Sequence, residues 1–443
     1  MAQDQFITGL DLGSYLIKAS AITGRNGDII FSAYGESQGI EDGVVTDSVR
    51  LLASIKSVLR QLELKTGAPV TAVFLNVDTA YTRQEANLGS SAVRTGVVTE
   101  NDMIRAIQSA MRVAKGTDEE VCDVLLGDYK VDGVKFAAPV GVKGHLIDVS
   151  TQTILGDLSV VDGQARVLQG AGLKVLGTGL SVHGMANLML SRSQRYDGVL
   201  MIDAGHRKTD VAVLRNNRIM YSETLPLGGR NITKDLSIIL KISMREAEDL
   251  KVAYGSGKLP PSHAKYELIK EITTARMDEI LRYVKKSFEA YPHHGEIRQA
   301  CLYGGGLCGF KQIPELAQEI LELSTNALTS DIMRSDDVFS LNATGVAYNM
   351  IHELQAGLIA QMWEDNEPDD PRSFGEPDED YFSIFDKVRK KTRKTVGGLL
   401  EYDEDDEQGD EDRSYRSRTQ EDFHKKASEN SFKSRMKKLF GFR

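Results

Sequence analysis

Two short turns in this 443-residue chain carry the residue types needed to grip a phosphate chain. Gly9-Leu10-Asp11-Leu12-Gly13-Ser14 and Ile202-Asp203-Ala204-Gly205 each set a carboxylate two residues ahead of a glycine, at the end of an apolar run. Glycine lets backbone N–H groups come close to phosphate oxygens, and a carboxylate there can hold Mg²⁺ through its water shell. Asp11 and Asp203 are the expected carboxylates, and any catalysis would fall to them. Gly13, Ser14 and Gly205 form the loop tips, and Lys18 lies on the strand leaving the first turn. One Asp-x-Gly turn is commonplace in hairpins that bind nothing. Two in matching positions, with Gly304-Gly305-Gly306 closing a later apolar run, define a candidate clamp for a nucleoside triphosphate.

Such turns need strands to carry them. Residues 6–12 read as a buried strand, 15–22 as a second, and 24–28 as a hairpin turn into Ile29-Ile30-Phe31. Residues 199–222 repeat this plan about 190 residues later, with Asp203 falling on Asp11 and Gly205 on Gly13; one residue of slack is needed in the hairpin. A repeated supersecondary unit at that distance predicts two related halves. Apolar positions from Val49 to Leu62 predict a helix over 47–63, capped by Asp47 or Ser48, with a strand at Val70–Leu75. Between the halves, 83–164 reads as a compact α+β block. Strands are expected near Gln84–Leu88, Val121–Lys130, Gly144–Ser150 and Leu158–Val161, with a helix from Thr99 to about Val113. Further helices are expected over 229–253, over 264–290 and after Ile313-Pro314.

A chain this long exceeds one ordinary core. The expected division is 1–82 and 165–195 for the first half, interrupted by the 83–164 insert. The second half then comprises 196–228, a second insert at 229–299, and 300–363. A net charge of −10 lacks the basic face that general nucleic-acid binding requires, so no nucleic acid is expected as a partner. Cys122, Cys301 and Cys308 are scattered, with no metal-ligand spacing, and read as reduced thiols. The N-terminus lacks the pattern of a signal peptide, and no apolar run reaches spanning length, so membrane contact is expected to be peripheral. His293-His294 has no carboxylate at metal spacing and reads as solvated surface; Ser181 and His183 fit a packing turn or a water-orienting position.

From Trp363 the composition changes. Residues 364–430 alternate acidic and basic blocks with few apolar residues, and are expected to be a disordered, charged linker. The end, 431–443, differs again: Phe432, Met436, Leu439 and Phe440 make one helical stripe that Phe442 widens, while Lys433, Arg435, Lys437 and Lys438 occupy the other side. An aromatic face beside a cationic one suits an interfacial helix on anionic lipid, each cation contributing about 1 kcal/mol near such a surface.

Taken together, these motifs resemble the actin/heat-shock/sugar-kinase superfamily, and within it the FtsA family of bacterial cell division proteins. Residues 9–14 resemble the first phosphate loop, 202–205 the second, and Leu302–Gly309 the adenosine loop with Gly304, Gly305 and Gly306. Ala247-Glu248-Asp249-Leu250-Lys251 resembles the helix whose Glu and Lys grip the ribose, here Glu248 and Lys251, and residues 342–347 resemble the closing helix. The resemblance implies an α/β, actin-like two-domain ATPase fold with an inserted α+β subdomain, a disordered acidic tail and a C-terminal amphipathic helix. It implies ATP with Mg²⁺ as cofactors and a role in tethering FtsZ filaments to the cytoplasmic face of the cell membrane at the division site. Implied partners are the FtsZ C-terminal tail, docking on 229–299 near Arg276, later division proteins at the inserted subdomain, anionic lipid, and further copies of the chain in filaments. PilM pilus proteins share this core and stand as the alternative, with other actin-like ATPases behind them; the tail favours FtsA. One departure stands out. His206-Arg207-Lys208, followed by Thr209, replace the glycines and threonine of the family's second loop, so ATP binding with weak or absent hydrolysis is expected, the added side chains reaching the phosphates themselves.

Overall fold

The computed structural model describes residues 6–23, 29–114, 116–136, 138–328 and 341–355. The linker expected at 364–430 and the amphipathic helix expected at 431–443 lie outside the described residues.

The first half opens with β1 (Ile7–Leu12), β2 (Leu16–Thr23) and β3 (Ile29–Glu36), an antiparallel meander. A two-stranded ribbon, β4 (Ile40–Glu41) and β5 (Val44–Val45), leads to α1 (Ser48–Thr66). Asp47 caps α1 by accepting from the N–H groups of Val49 and Arg50, and Gly67 ends it in a left-handed conformation. Leu51, Ile55, Val58, Leu59 and Leu62 bury one face of the helix against the sheet. β6 (Ala72–Asn76) then pairs parallel with β1.

The insert begins at β7 (Thr82–Ala92), continues through α2 (Glu100–Ala114), β8 (Glu119–Val131) and β9 (Val134–Phe136), and closes with β10 (Leu146–Asp157). Its sheet runs β7-β10-β8-β9 and holds its own core around Ala106, Ile147 and Val149. The segment Leu158–Val161 is not a strand but the start of α3 (Leu158–Gly170), capped by Asp157. The β-branched pair Val160-Val161 favours a strand locally, but Val161, Gln164, Val167 and Leu168 follow helical spacing and all are buried. Val167 and Leu168 join the core of the first half with Leu51 and Ile55, so the boundary expected at 164 cuts a helix that belongs to that half. β11 (Lys174–Gly179) completes the first sheet, in the order β11-β6-β1-β2-β3, and α4 (Ser181–Met189) and α5 (Arg192–Asp197) lead out. The boundary expected at 195 falls inside α5.

The second half repeats the plan with β12 (Val199–Ala204), β13 (Thr209–Arg215) and β14 (Arg218–Leu225). The helix expected over 229–253 is two helices, α6 (Gly229–Leu240) and α7 (Met244–Gly255). Lys241 turns left-handed to end α6, and Ser243 with Glu246 forms a reciprocal capping box that starts α7. α8 (Tyr266–Glu289), β15 (Gln299–Tyr303), α9 (Ile313–Leu321), β16 (Ser324–Ala327) and α10 (Leu341–Gln355) follow, and the boundary expected at 299 falls at the start of β15. The sheet order β14-β13-β12-β15-β16 mirrors β3-β2-β1-β6-β11 strand for strand. Asp11 faces Lys18 across β1–β2, and Asp203 faces Asp210 across β12–β13, so the two loops align without slack. A register shift lies in the following hairpin, between Val213 and Leu214. The duplicated α/β plan is the actin-like fold expected from the sequence, with the inserted subdomain in its expected place.

Candidate functional site

The two Asp-x-Gly turns face one another across a cavity of about 510 Å³. β1 ends at the first and β12 at the second, which is why strands buried on both faces bring two polar loops to one place. Of the residues expected to bind nucleotide, all but Thr209 line this cavity. Thr209 is fully buried and donates its hydroxyl to the Leu227 carbonyl at 2.8 Å, so it holds β13 against the next loop.

Asp11 is buried and doubly engaged. Lys18 Nζ lies 2.6 Å from Oδ2, and Asn76 Nδ2 donates to Oδ1 at 2.9 Å. Asn76 accepts in turn from the Ser181 N–H at 2.9 Å, tying the end of β6 to the start of α4. Asp203 receives a hydrogen bond from Asn342 Nδ2 at 2.7 Å but faces a carboxylate, Asp210, where Asp11 faces an ammonium. Burial, and then Asp210, push the Asp203 carboxyl up to about 7. Burial raises Asp210 as well, although Lys208 opposes it, and Thr224 donates to it at 2.5 Å.

The third loop is built by backbone contact. A Cβ on Gly306 would sit 2.0 Å from the Gly205 carbonyl oxygen, and one on Gly304, whose φ is +95°, 2.4 Å from Asp203 Oδ1. Only glycine permits that approach, and the Gly306 N–H donates to the Ala204 carbonyl at 2.7 Å, locking the adenosine-type loop onto the second phosphate-type loop. Glu248 and Lys251 share one face of α7, with Nζ 2.7 Å from Oε2, and Thr233 donates to the same carboxylate at 2.5 Å. Burial pushes Glu248 up, but Lys251 and Thr233 outweigh it and hold its carboxyl below the usual range.

His206-Arg207-Lys208 occupy ordinary backbone conformations, since none has a positive φ. The glycines they replace are therefore not needed for the turn, which the Gly205 N–H closes onto the Lys208 carbonyl at 2.9 Å. The side chains cross to the first half. The His206 ring stacks on Tyr15, with centroids 4.1 Å apart and planes 12° from parallel. Arg207 Nε lies 3.0 Å from Asp42 and its terminal nitrogen 3.4 Å from Glu41, while Lys208 pairs with Asp78. Burial, with Lys251 near, lowers His206 to about 4, so a neutral imidazole makes the stack at neutral pH.

Tyr15, Asn76, Asp78 and Asp210 escaped the sequence reading, and Asn342 was placed only in the segment resembling the closing helix, with no role at the site. Asp210 was within reach, because the repeat sets it on Lys18. Asn76 and Asp78 leave only the trace of polar residues directly after a buried strand. Three other expectations resolve plainly. His183 pairs with the buried Asp123 at 3.1 Å, joining α4 to β8 of the insert rather than facing the cavity, whereas Ser181 does line it. His293 pairs with Glu296 at 2.9 Å on the surface. Arg276 binds Asp235 with two nitrogens, at 2.5 and 3.0 Å, and also pairs with Glu279, so its guanidinium already ties α8 to α6.

Comparison with known proteins adds a separate line. The profile described as "Cell division protein FtsA" matches residues 200–345, and that of the SHS2 domain inserted in FtsA matches 80–155. The cell division protein FtsA of Streptococcus pneumoniae serotype 2 is 28% identical over 311 residues, spanning 65% of this chain and 68% of that protein. That of Neisseria meningitidis serogroup B is 26% identical over 347 residues, spanning 72% and 83%. Among solved structures, the PilM-PilN type IV pilus biogenesis complex is similar with a TM-score of 0.55 at 16% identity, over 78% of this chain and 98% of that one, a likeness of fold.

Proposed function

Because the chain is a divergent member of the FtsA family of cell division proteins, we propose that it tethers FtsZ filaments to the cytoplasmic face of the cell membrane at the division site, with ATP held between its halves. The observation that carries the nucleotide reading is the convergence of two duplicated loops, a glycine loop and the Glu248–Lys251 pair on one cavity. The donor set suits a magnesium nucleotide. Asp11, Asp203 and Asp210 line the cavity, and Asn342 Oδ1 is a buried acceptor with no partner among the described residues. Asp11 and Asp203 would hold the ion through its waters, where it would neutralise phosphate charge. Lys18 would meet phosphate oxygens, Glu248 and Lys251 the ribose, and Gly304-Gly305-Gly306 the adenosine. With side chains at 206–208 turned across the cleft, efficient hydrolysis is not expected.

Among the described residues no helix is long and apolar enough to cross a membrane. The membrane contact in this reading is the basic, aromatic segment 431–443, reached through the linker. Co-sedimentation with anionic liposomes tests the tether. The intact chain should pellet and carry FtsZ with it, and a chain ending at residue 430 should leave both in the supernatant. FtsZ remaining soluble while the intact chain pellets would overturn the tether reading.

FtsZ's C-terminal tail is assigned to the α6–α8 face, and later division proteins to the insert. Arg276 sits on that face as an organiser of α6 and α8 rather than as a free cation. Arg276→Ala should weaken binding of an FtsZ tail peptide by about threefold to tenfold, without abolishing it, in fluorescence anisotropy. Asp235→Ala, which touches the same contact from α6, should weaken it similarly. An effect of Arg276→Ala unmatched by Asp235→Ala would mean that the guanidinium meets the peptide directly.

A further inference from the structure

Three consecutive residues of the second phosphate-type loop each contact a different segment of the first half. His206 stacks on Tyr15 in the first loop, Arg207 pairs with Glu41 and Asp42 on the β4–β5 ribbon, and Lys208 pairs with Asp78 after β6. Tyr15 reaches the other way. Its phenol is raised to about 12 by burial and by Glu248 on α7, which places it against the second half. Lys208 is half-buried, as are its two neighbours. Burial works against its charge, but Asp210 and Asp78 outweigh that cost and hold its pKa above the usual lysine value. These contacts join the two sides of the cavity that His206, Arg207 and Lys208 line, and the turn that presents them costs no unusual backbone conformation.

We propose that His206, Arg207 and Lys208 are positioning residues that hold the two halves closed over the cleft, replacing with side chains the bridge that a phosphate chain makes between two glycine loops. Resting on the nucleotide reading above, the proposal deepens it. A cleft closed by the protein itself does not depend on ligand for its shape, and it releases a captured nucleotide slowly, because three contacts must part before the halves can separate. The turn has space for these side chains because they reach across to Tyr15, Asp42 and Asp78.

The test is the separation of the halves in nucleotide-free protein. Spin labels on Leu64→Cys in α1 and Leu268→Cys in α8, both exposed positions with the native cysteines buried, report it by pulsed electron resonance. The otherwise unaltered chain should show one short distance, unchanged by Mg-ATP. The variant His206→Gly/Arg207→Gly/Lys208→Thr should show a longer or broader distribution without nucleotide that Mg-ATP narrows. Its release of a fluorescent ATP analogue should be at least tenfold faster. A second pair guards against misfolding: Arg207→Glu should open the cleft, and Arg207→Glu with Asp42→Arg should close it again. A wild-type cleft that is open until nucleotide arrives, a triple variant that stays closed, or a charge swap that fails to re-close would each overturn the proposal. Failure of the nucleotide reading is distinct: Mg-ATP would then bind neither protein, whatever the nucleotide-free distances show.

Discussion

Asp203→Asn is expected to stabilise the metal- and nucleotide-free protein at pH 8 by about 2–4 kcal/mol and to leave its stability at pH 4 nearly unchanged. The Asp203 carboxyl is buried, faces Asp210 and is raised from 3.8 to about 7. In the unfolded chain it ionises near its ordinary value. Between about pH 4 and pH 7 ionisation therefore favours the unfolded chain, so stability falls as pH rises through this window, and the loss is complete above 7. Below about 4 the group is protonated in both states and contributes nothing. Asparagine removes the charge and keeps an oxygen for the hydrogen bond from Asn342, so it recovers what ionisation costs. Against a total stability of about 5–15 kcal/mol this is a large gain from one atom. The same variant should lose affinity for Mg-ATP, since Asp203 is one of the two carboxylates assigned to the ion. Urea denaturation at pH 4, 6 and 8 with chelator present reads the first effect, and titration calorimetry the second. A pH-independent difference between the two proteins would show that Asp203 ionises normally in the folded chain, removing the basis for a strained carboxylate held for a cation.

The duplicated strands were legible because Asp-x-Gly turns at the ends of apolar runs are sequence-local, and the same holds for Glu248 and Lys251, three residues apart on one helix. What escaped were partnerships between distant segments. Asn76 and Asp78 gain meaning only when β6 is laid beside β1, and nothing within a few residues of them marks that. Asn342 begins the segment that resembles the closing helix, but its bond to Asp203 emerges only when α10 is laid beside β12. The fate of His206-Arg207-Lys208 illustrates the same limit. Their residue types argued against a tight glycine cradle, but their pairing with the first half depended on Glu41, Asp42 and Asp78, more than 120 residues earlier in the chain. Local signals were also misjudged where two competed. Ser243-Met244-Arg245-Glu246 is a capping box in plain view, yet the apolar periodicity running through it predicts one helix rather than two. Burial decided Leu158–Val161, where helical spacing of residues facing the first-half core outweighed β-branching.

The second large effect is expected at the junction beneath the cleft, where α10 lies on β1 and crosses α4. Both contacts are backbone on backbone. A Cβ on Gly9 would fall 2.1 Å from the Ala343 carbonyl oxygen, and one on Gly184 would fall 1.8 Å from the Gly345 carbonyl oxygen. Gly184 is helical with an ordinary φ, so Gly184→Ala improves local helix propensity by about 1 kcal/mol. Steric overlap opposes it. No rotamer can relieve a methyl group pressed into a carbonyl, so α10 must move as a unit, at a cost of about 3 kcal/mol or more. The clash wins. Gly345→Ala, whose Cβ would meet Met185 Cγ and the Ser181 carbonyl oxygen at 3.0 Å and the Met185 backbone nitrogen at 3.1 Å, should cost less, because these contacts are relieved by a far smaller shift than an overlap at 1.8 Å. The consequence reaches the site, since Asn342, at the start of α10, donates to Asp203 and would be drawn away from it. Gly184→Ala should therefore lower both stability and nucleotide affinity, whereas Gly345→Ala should lower chiefly stability. Paired denaturation and binding measurements on the two variants separate these outcomes. If Gly184→Ala matched wild type in both, α10 could not be the rigid strut through which the first half holds the second half's carboxylate in place.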